Sequence, residues 1–137
     1  MKFLSYNPGH DGAIAFVQNS RLMFSIEAEK DSNYRYSAVS VADVLDAIGE
    51  LSVLPDVICM SGWWPRDNHE HLHGSHRNGG YRGVSSAGAI LEKGRLLGGR
   101  AHYFSSSHER SHILCAFGMS PLPKGAACYA LVWEGEM

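Results

Sequence analysis

His108 and His112, in SSSHERSHILCAF (residues 105–117), are four apart and so could share chemistry. On a helix, such positions lie on one face about one turn apart. Two imidazoles so placed can hold one metal ion, and HERSH fits the spacing of HExxH with Glu109 second. That pattern suggests a metallohydrolase, with two histidine ligands and Glu109 as general base. The same residues also read as a helix face with two partly exposed histidines, one of them capping. Spacing alone leaves both readings open.

Three other stretches carry candidate chemistry. In NPGHDG, residues 7–12, Gly9 and Gly12 permit tight turning and are expected to leave backbone amides exposed, and Asp11 offers a carboxylate. Such a loop can cradle phosphate or position a metal-bound water, or be a plain surface turn. It is not a Walker loop, because no GxxxxGK[ST] is present. HEHLHGSH supplies His69, His71, His73 and His76, which suit adventitious divalent metal or a solvated insertion equally. Glu134 and Glu136 follow the last apolar run, where a carboxylate can point into a site at a strand end. Oxygen and imidazole together suit iron, manganese or zinc, so Glu134 is a candidate third ligand beside His108 and His112.

Several elements must position these residues. KFLSY reads as a strand ended by NPGHDG. AIAFVQ and RLMFSIEAEK read as a hairpin closed by Asn19 and Ser20, so the first three strands form a meander. Ser40 with Asp43 is a relative of the capping box. It opens an amphipathic helix over Val41, Val44, Leu45, Ile48 and Leu51. DVICMSGW after Pro55 reads as a buried strand. Residues 67–100, rich in Gly, Arg and His, read as a loop-rich insertion. AHYFSSS returns as a strand, HERSHILCAFGMS as a helix and AACYALVWEGEM as a strand.

The bulk numbers narrow the classes. With 137 residues the chain suits one small domain. Its 45% apolar and 19% charged residues are ordinary for a globular protein. A formal net charge of -2 gives no pull toward nucleic acid or an anionic membrane. No run of about 18 apolar residues predicts a membrane span, and the apolar start is too short for a signal-peptide core. Cys59, Cys115 and Cys128 sit in apolar surroundings and form no CxxC pair, so buried free thiols in a cytoplasmic protein are expected.

Taken together, these stretches resemble one family. LSYNPGHDGAIAFVQNSRLMFSIEAEKDSNYRYS is similar to the start of the NodU/CmcH-type O-carbamoyltransferases, with Glu27, Glu29, Lys30, Tyr34 and Arg35 following their pattern. HERSH resembles the family's H-x-x-S-H metal motif, and ALVWEGEM a strand carrying an acidic-Gly turn, where Asp is usual in place of Glu134. The resemblance implies the N-terminal half of an actin-like ATPase (ribonuclease H-like) α/β domain, a mixed sheet in β-β-β-α-β-α order. It implies a divalent metal, iron first, on His108, His112 and Glu134. It implies ATP and carbamoyl phosphate as substrates, passing through carbamoyl-adenylate to a hydroxyl of a small-molecule acceptor. His10 or Asp11 is then the expected base, and Asn7, Gly9 and Gly12 border the nucleotide-derived ligand.

The resemblance also implies a remainder that this chain lacks: the second half of the actin-like fold and an adenylate-forming domain. Residues 1–137 therefore read as a partial domain, expected to have little transferase activity alone. Self-association, or a partner chain supplying the missing half, would follow. A non-catalytic metal- or nucleotide-binding module is the alternative, with the metallohydrolase behind it.

Overall fold

The computed structural model describes residues 1–9, 11–60, 90–106 and 108–131; for Ile90, His108 and Glu109 only the backbone is described. Strands β1 (Lys2–Asn7), β2 (Ala13–Gln18) and β3 (Arg21–Glu27) form the expected antiparallel meander. Asn19 and Ser20 close the β2–β3 hairpin with φ of 50° and 64°. Positive φ at both central residues is what a type I′ turn requires, and its twist matches that of the strands.

The third strand stops earlier than its sequence suggests. Residues Ala28–Ser32 form a short helix α1, although the sequence predicts a strand running on to Lys30. IEAEK alternates apolar and polar residues, so it suits a strand locally. The Ala28 amide still reaches the neighbouring strand's end, donating to the Gly12 carbonyl at 2.9 Å, and Ala28 is buried at the point where the chain turns helical. Asn33, in the left-handed region at φ 58°, ends the turn by donating to the Glu29 carbonyl.

Helix α2 (Val41–Glu50) begins with a complete capping box. The Asp43 amide donates to Ser40 Oγ at 3.2 Å, and the Ser40 amide donates to Asp43 Oδ2 at 2.6 Å. Only part of its apolar stripe faces the sheet. Val44, Ala47, Ile48 and Leu51 meet Leu4, Tyr6, Ile14, Ile58, Met60, Leu96 and Tyr103 around a cavity of about 290 Å³. Val41 and Leu45 lie on the flank of that stripe and are exposed. Ile14, Phe16, Ala47 and Ile58 are the buried centre, and the Phe16 and Phe24 rings lie 5.9 Å apart.

Strand β4 (Val57–Met60) runs parallel to β1. Its entry is tied to the start of the chain, because Asp56 Oδ2 accepts from the Lys2 amide at 2.8 Å and the Asp56 amide donates to the Lys2 carbonyl at 2.9 Å. Strands β5 (Ile90–Leu96) and β6 (Gly99–Ser105) form an antiparallel hairpin, and β6 runs parallel to β4. Residues 90–100, expected as the end of a loop-rich insertion, thus form β5, its turn and the start of β6. Leu97 and Gly98 turn the hairpin at φ 48° and 83°, and Leu-Gly is a weaker turn signal than Asn-Gly. Residues 61–89 lie outside the described part, and with them HEHLHGSH.

The six strands are ordered β3-β2-β1-β4-β6-β5, a mixed sheet as expected. Helix α3 (His108–Met119) follows β6. Residues 126–131, expected as a strand, are irregular and exposed. Among the described residues no strand pairs with them, and a lone extended segment leaves its backbone groups to solvent. The three cysteines are free as expected, but Cys59 is only half-buried and Cys115 and Cys128 are exposed. Among the described residues, no helix is long and apolar enough to cross a membrane.

Candidate functional site

Parallel pairing is what gathers the candidate residues. Tyr6 of β1, Met60 of β4 and Ser105 of β6 stand in one row across the sheet. All three strands end at the same edge. The loop after β1 carries Asp11, and the chain after β6 enters α3 at His108. In open α/β sheets, ligands bind outside the carboxyl ends of parallel strands. Two strand spacings separate β1 from β6, roughly 10 Å. NPGHDG and HERSH, 97 residues apart between Asp11 and His108 (108 − 11), are thereby brought to one edge of one sheet.

Loop 7–12 is built as a braced turn. Asn7 Nδ2 donates to the Asp11 carbonyl at 3.1 Å. Asp11 takes φ 54°, a left-handed conformation that Asp tolerates better than most residues. Pro8, Gly9 and Gly12 are buried, while the Asp11 side chain is exposed. The Gly12 amide, expected to be open to a phosphate, donates instead to the Ser37 carbonyl at 2.8 Å. The Val39 amide donates to the Pro8 carbonyl at 3.2 Å. Gly12 thus serves close approach of two backbones, not anion binding through its N–H. His10 lies outside the described residues.

Residues 32–37 complete the brace. The Tyr36 amide donates to Glu29 Oε1, holding Tyr36 at φ 61°. The Ser32 and Ser37 hydroxyls share a hydrogen bond, and Ser37 Oγ donates to the Tyr34 carbonyl at 2.7 Å. Arg35 lies 5.1 Å from the centre of the Tyr36 ring, a cation–π distance. Asp11 and Tyr36 each stand one residue from the Gly12–Ser37 bond. The sequence pattern marked Glu29, Tyr34 and Arg35 but gave no sign that their segment binds loop 7–12. Beside it lies a hollow of about 390 Å³ lined by Asp31, Asp43 and Asp46, whose charge disfavours an anionic ligand.

His108 and His112 both belong to α3, so their backbone positions have the one-face spacing a shared ion needs. The His112 side chain is exposed and borders an apolar groove of about 560 Å³ between α3 and residues 120–131. Among the described residues, none of loop 7–12 lines that groove. The side chains of His108 and Glu109, and residues Glu134 and Glu136, lie outside the described part. Among the described residues, no group of three or more His, Cys, Asp or Glu side chains could hold a metal ion.

One residue that sequence reasoning passed over stands at this edge. Ser106 is 3% exposed, and its Oγ has no hydrogen-bond partner. Its only sequence signal is its place in the serine run before HERSH.

The chain is 39% identical over its full length to a 3'-hydroxymethylcephem-O-carbamoyltransferase of Amycolatopsis lactamdurans, and 36% identical to that of Streptomyces clavuligerus. It is 32% identical over 92% of its length to nodulation protein U of Rhizobium tropici. It spans about a quarter of the length of each of these relatives, 25% in all three. No family model matches the chain, and no solved structure does.

Proposed function

Because the chain belongs to the NodU/CmcH-type O-carbamoyltransferase family, we propose that it contributes the Asp11 loop and the α3 histidines to a carbamoyl-transfer site. The reaction is ATP- and carbamoyl-phosphate-dependent transfer of a carbamoyl group to a hydroxyl of a small molecule. The observation that carries this is the similarity to O-carbamoyltransferases along the whole chain. The α/β order supports an actin-like, ribonuclease H-like reading: a meander, helix α2, parallel strand β4, then β6 and α3, with β5 added. The hydroxymethyl acceptor named for two relatives makes a hydroxymethyl-bearing small molecule the first acceptor to try.

In this reading Asp11, or His10 beside it, takes the proton as the acceptor oxygen attacks the carbamoyl carbonyl carbon. The carbon–oxygen bond to the acceptor forms as the bond to the adenylate breaks. The bracing from Ser37 and Val39 fixes the loop, so that the base need not be ordered during reaction. Asn7 and Gly9 shape the same loop against the nucleotide-derived ligand, and Gly12 contributes its lack of a side chain. His108 and His112, with Glu134, are the residues that would hold a divalent ion, iron first. Such an ion supplies Lewis-acid polarisation of phosphoryl or carbonyl oxygen.

The test is carbamoyl transfer by the protein expressed from its complete gene. It is given ATP, labelled carbamoyl phosphate and hydroxymethyl acceptors, and label on the acceptor is measured. Asp11→Asn should lower the rate by roughly 10²-fold or more, the usual worth of a positioned base. Label that never reaches any acceptor, while the protein is folded, would end this reading.

A further inference from the structure

Gly12 is gripped through both of its backbone groups. Its carbonyl accepts from the Ala28 amide at 2.9 Å, and its amide donates to the Ser37 carbonyl at 2.8 Å. The two gripping residues are the ends of one segment, 28–37. One step inside each end, Glu29 and Tyr36 close that segment on itself, because the Tyr36 amide donates to Glu29 Oε1 seven residues back.

The backbone shows why such a tie is needed. A non-glycine residue at positive φ flanks the Gly12–Ser37 bond on either side, Asp11 at 54° and Tyr36 at 61°. Asp tolerates the left-handed region, but a bulky aromatic residue there is an outlier that its surroundings must hold. Tyr36 is exposed, so burial in the core does not account for it. Strained residues of this kind gather at functional sites, where the strain sets a geometry.

We propose that Glu29 is a positioning residue for the Asp11 loop. Its carboxylate keeps Tyr36 left-handed, which keeps the Ser37 carbonyl on the Gly12 amide, one residue from Asp11. Without that carboxylate Tyr36 relaxes toward negative φ, the Ser37 carbonyl swings away, and Asp11 loses its fixed place. This deepens the transferase reading and rests on it for the role of Asp11.

The experiment uses the protein expressed from its complete gene and reads amide exchange beside carbamoyl transfer. In Glu29→Ala the Gly12 amide should exchange about tenfold faster, the usual worth of one hydrogen bond to a charged group. The kcat should fall roughly tenfold or more, with the acceptor KM little changed, because a misplaced base costs the transition state and not the binding. Glu29→Gln keeps the shape and a neutral acceptor, so both effects should shrink to about threefold, and it carries the test should Glu29→Ala not fold. Tyr36→Gly added to Glu29→Ala should restore slow exchange and most of the kcat, because glycine takes positive φ without a tie. Unchanged Gly12 exchange in Glu29→Ala overturns the proposal. Faster exchange with unchanged kcat also overturns it, since the tie is then structural only. A double variant no better than Glu29→Ala does so too, since Glu29 then acts by another route than Tyr36. A wild type that transfers no carbamoyl group, while Gly12 exchange still answers to Glu29→Ala and to Tyr36→Gly, would sink the transferase reading and keep the positioning of the loop by Glu29.

Discussion

Gly12 and Val39 approach so closely that no side chain fits between them. A Cβ on Gly12 would stand 2.5 Å from the Val39 amide nitrogen and 2.9 Å from its Cγ2. The Val39 nitrogen is backbone and already donates to the Pro8 carbonyl, so it cannot step aside cheaply. The pair joins the Asp11 loop to the segment that carries Glu29 and Arg35.

Gly12→Ala should therefore part the two segments and lower stability by about 1–3 kcal/mol, the common cost of overpacking. Urea denaturation measures it. Amide exchange at Gly12 and Val39 should quicken in the variant. A midpoint equal to the wild type's would mean that the segments separate freely, against the braced loop described above.

The reciprocal bonds of Ser40 and Asp43 satisfy two amides at the start of α2. Ser40→Ala should cost about 1 kcal/mol. Thermal unfolding tests this, and Ser40→Asp should recover most of the loss. A cap that can be deleted without effect would show that packing of Val44 and Ile48 alone holds the helix.

Asp56 makes stability pH-dependent at the acid end. The Lys2 amide bonded to its carboxylate holds its pKa below the ordinary 3.8, outweighing partial burial, with the Lys2 ammonium 3.2 Å away adding to the effect. A carboxylate whose folded pKa is depressed stabilises the fold above the unfolded pKa, and that contribution is lost as pH falls through the folded value. The stability difference between wild type and Asp56→Asn should be full near pH 6 and shrink below about pH 4. Urea midpoints across that range measure it. A difference independent of pH would assign the effect to shape alone.

Metal binding is the direct test of α3. Anaerobically purified protein titrated with ferrous iron should bind about one ion through His108 and His112, and the double His→Ala variant should lose it. Elemental analysis counts the metal. Retention in the double variant would move the site to the tract from His69 to His76, and no binding at all would remove the ion from the proposed mechanism.

The legible parts of this fold are those specified by neighbours in sequence. Asn19-Ser20 between two apolar runs states its hairpin, and Ser40 with Asp43 states its cap. The illegible parts depend on partners far along the chain. IEAEK alternates like a strand, yet the chain turns helical at Ala28, which is buried with its amide on the Gly12 carbonyl. ILEKGRL lacks a strong pattern, yet it pairs with β6 along its whole length. The irregular course of residues 126–131 goes the other way: an apolar run suited to a strand does not become one where no described strand lies alongside.

For the site, the residue types and their local spacing were written in the chain: a turn able to carry Asp11 at positive φ, and two histidines one helical turn apart. Family membership, too, was readable from the opening run and HERSH. Only the tertiary structure decided that these two stretches share an edge, since that follows from β1, β4 and β6 being parallel, and parallel pairing depends on long crossovers rather than local signals. It alone decided that the Gly12 amide is spent on Ser37, and that Ser106 is buried without a partner. Burial and hydrogen bonding are properties of what the distant chain brings near, and no window of sequence contains them.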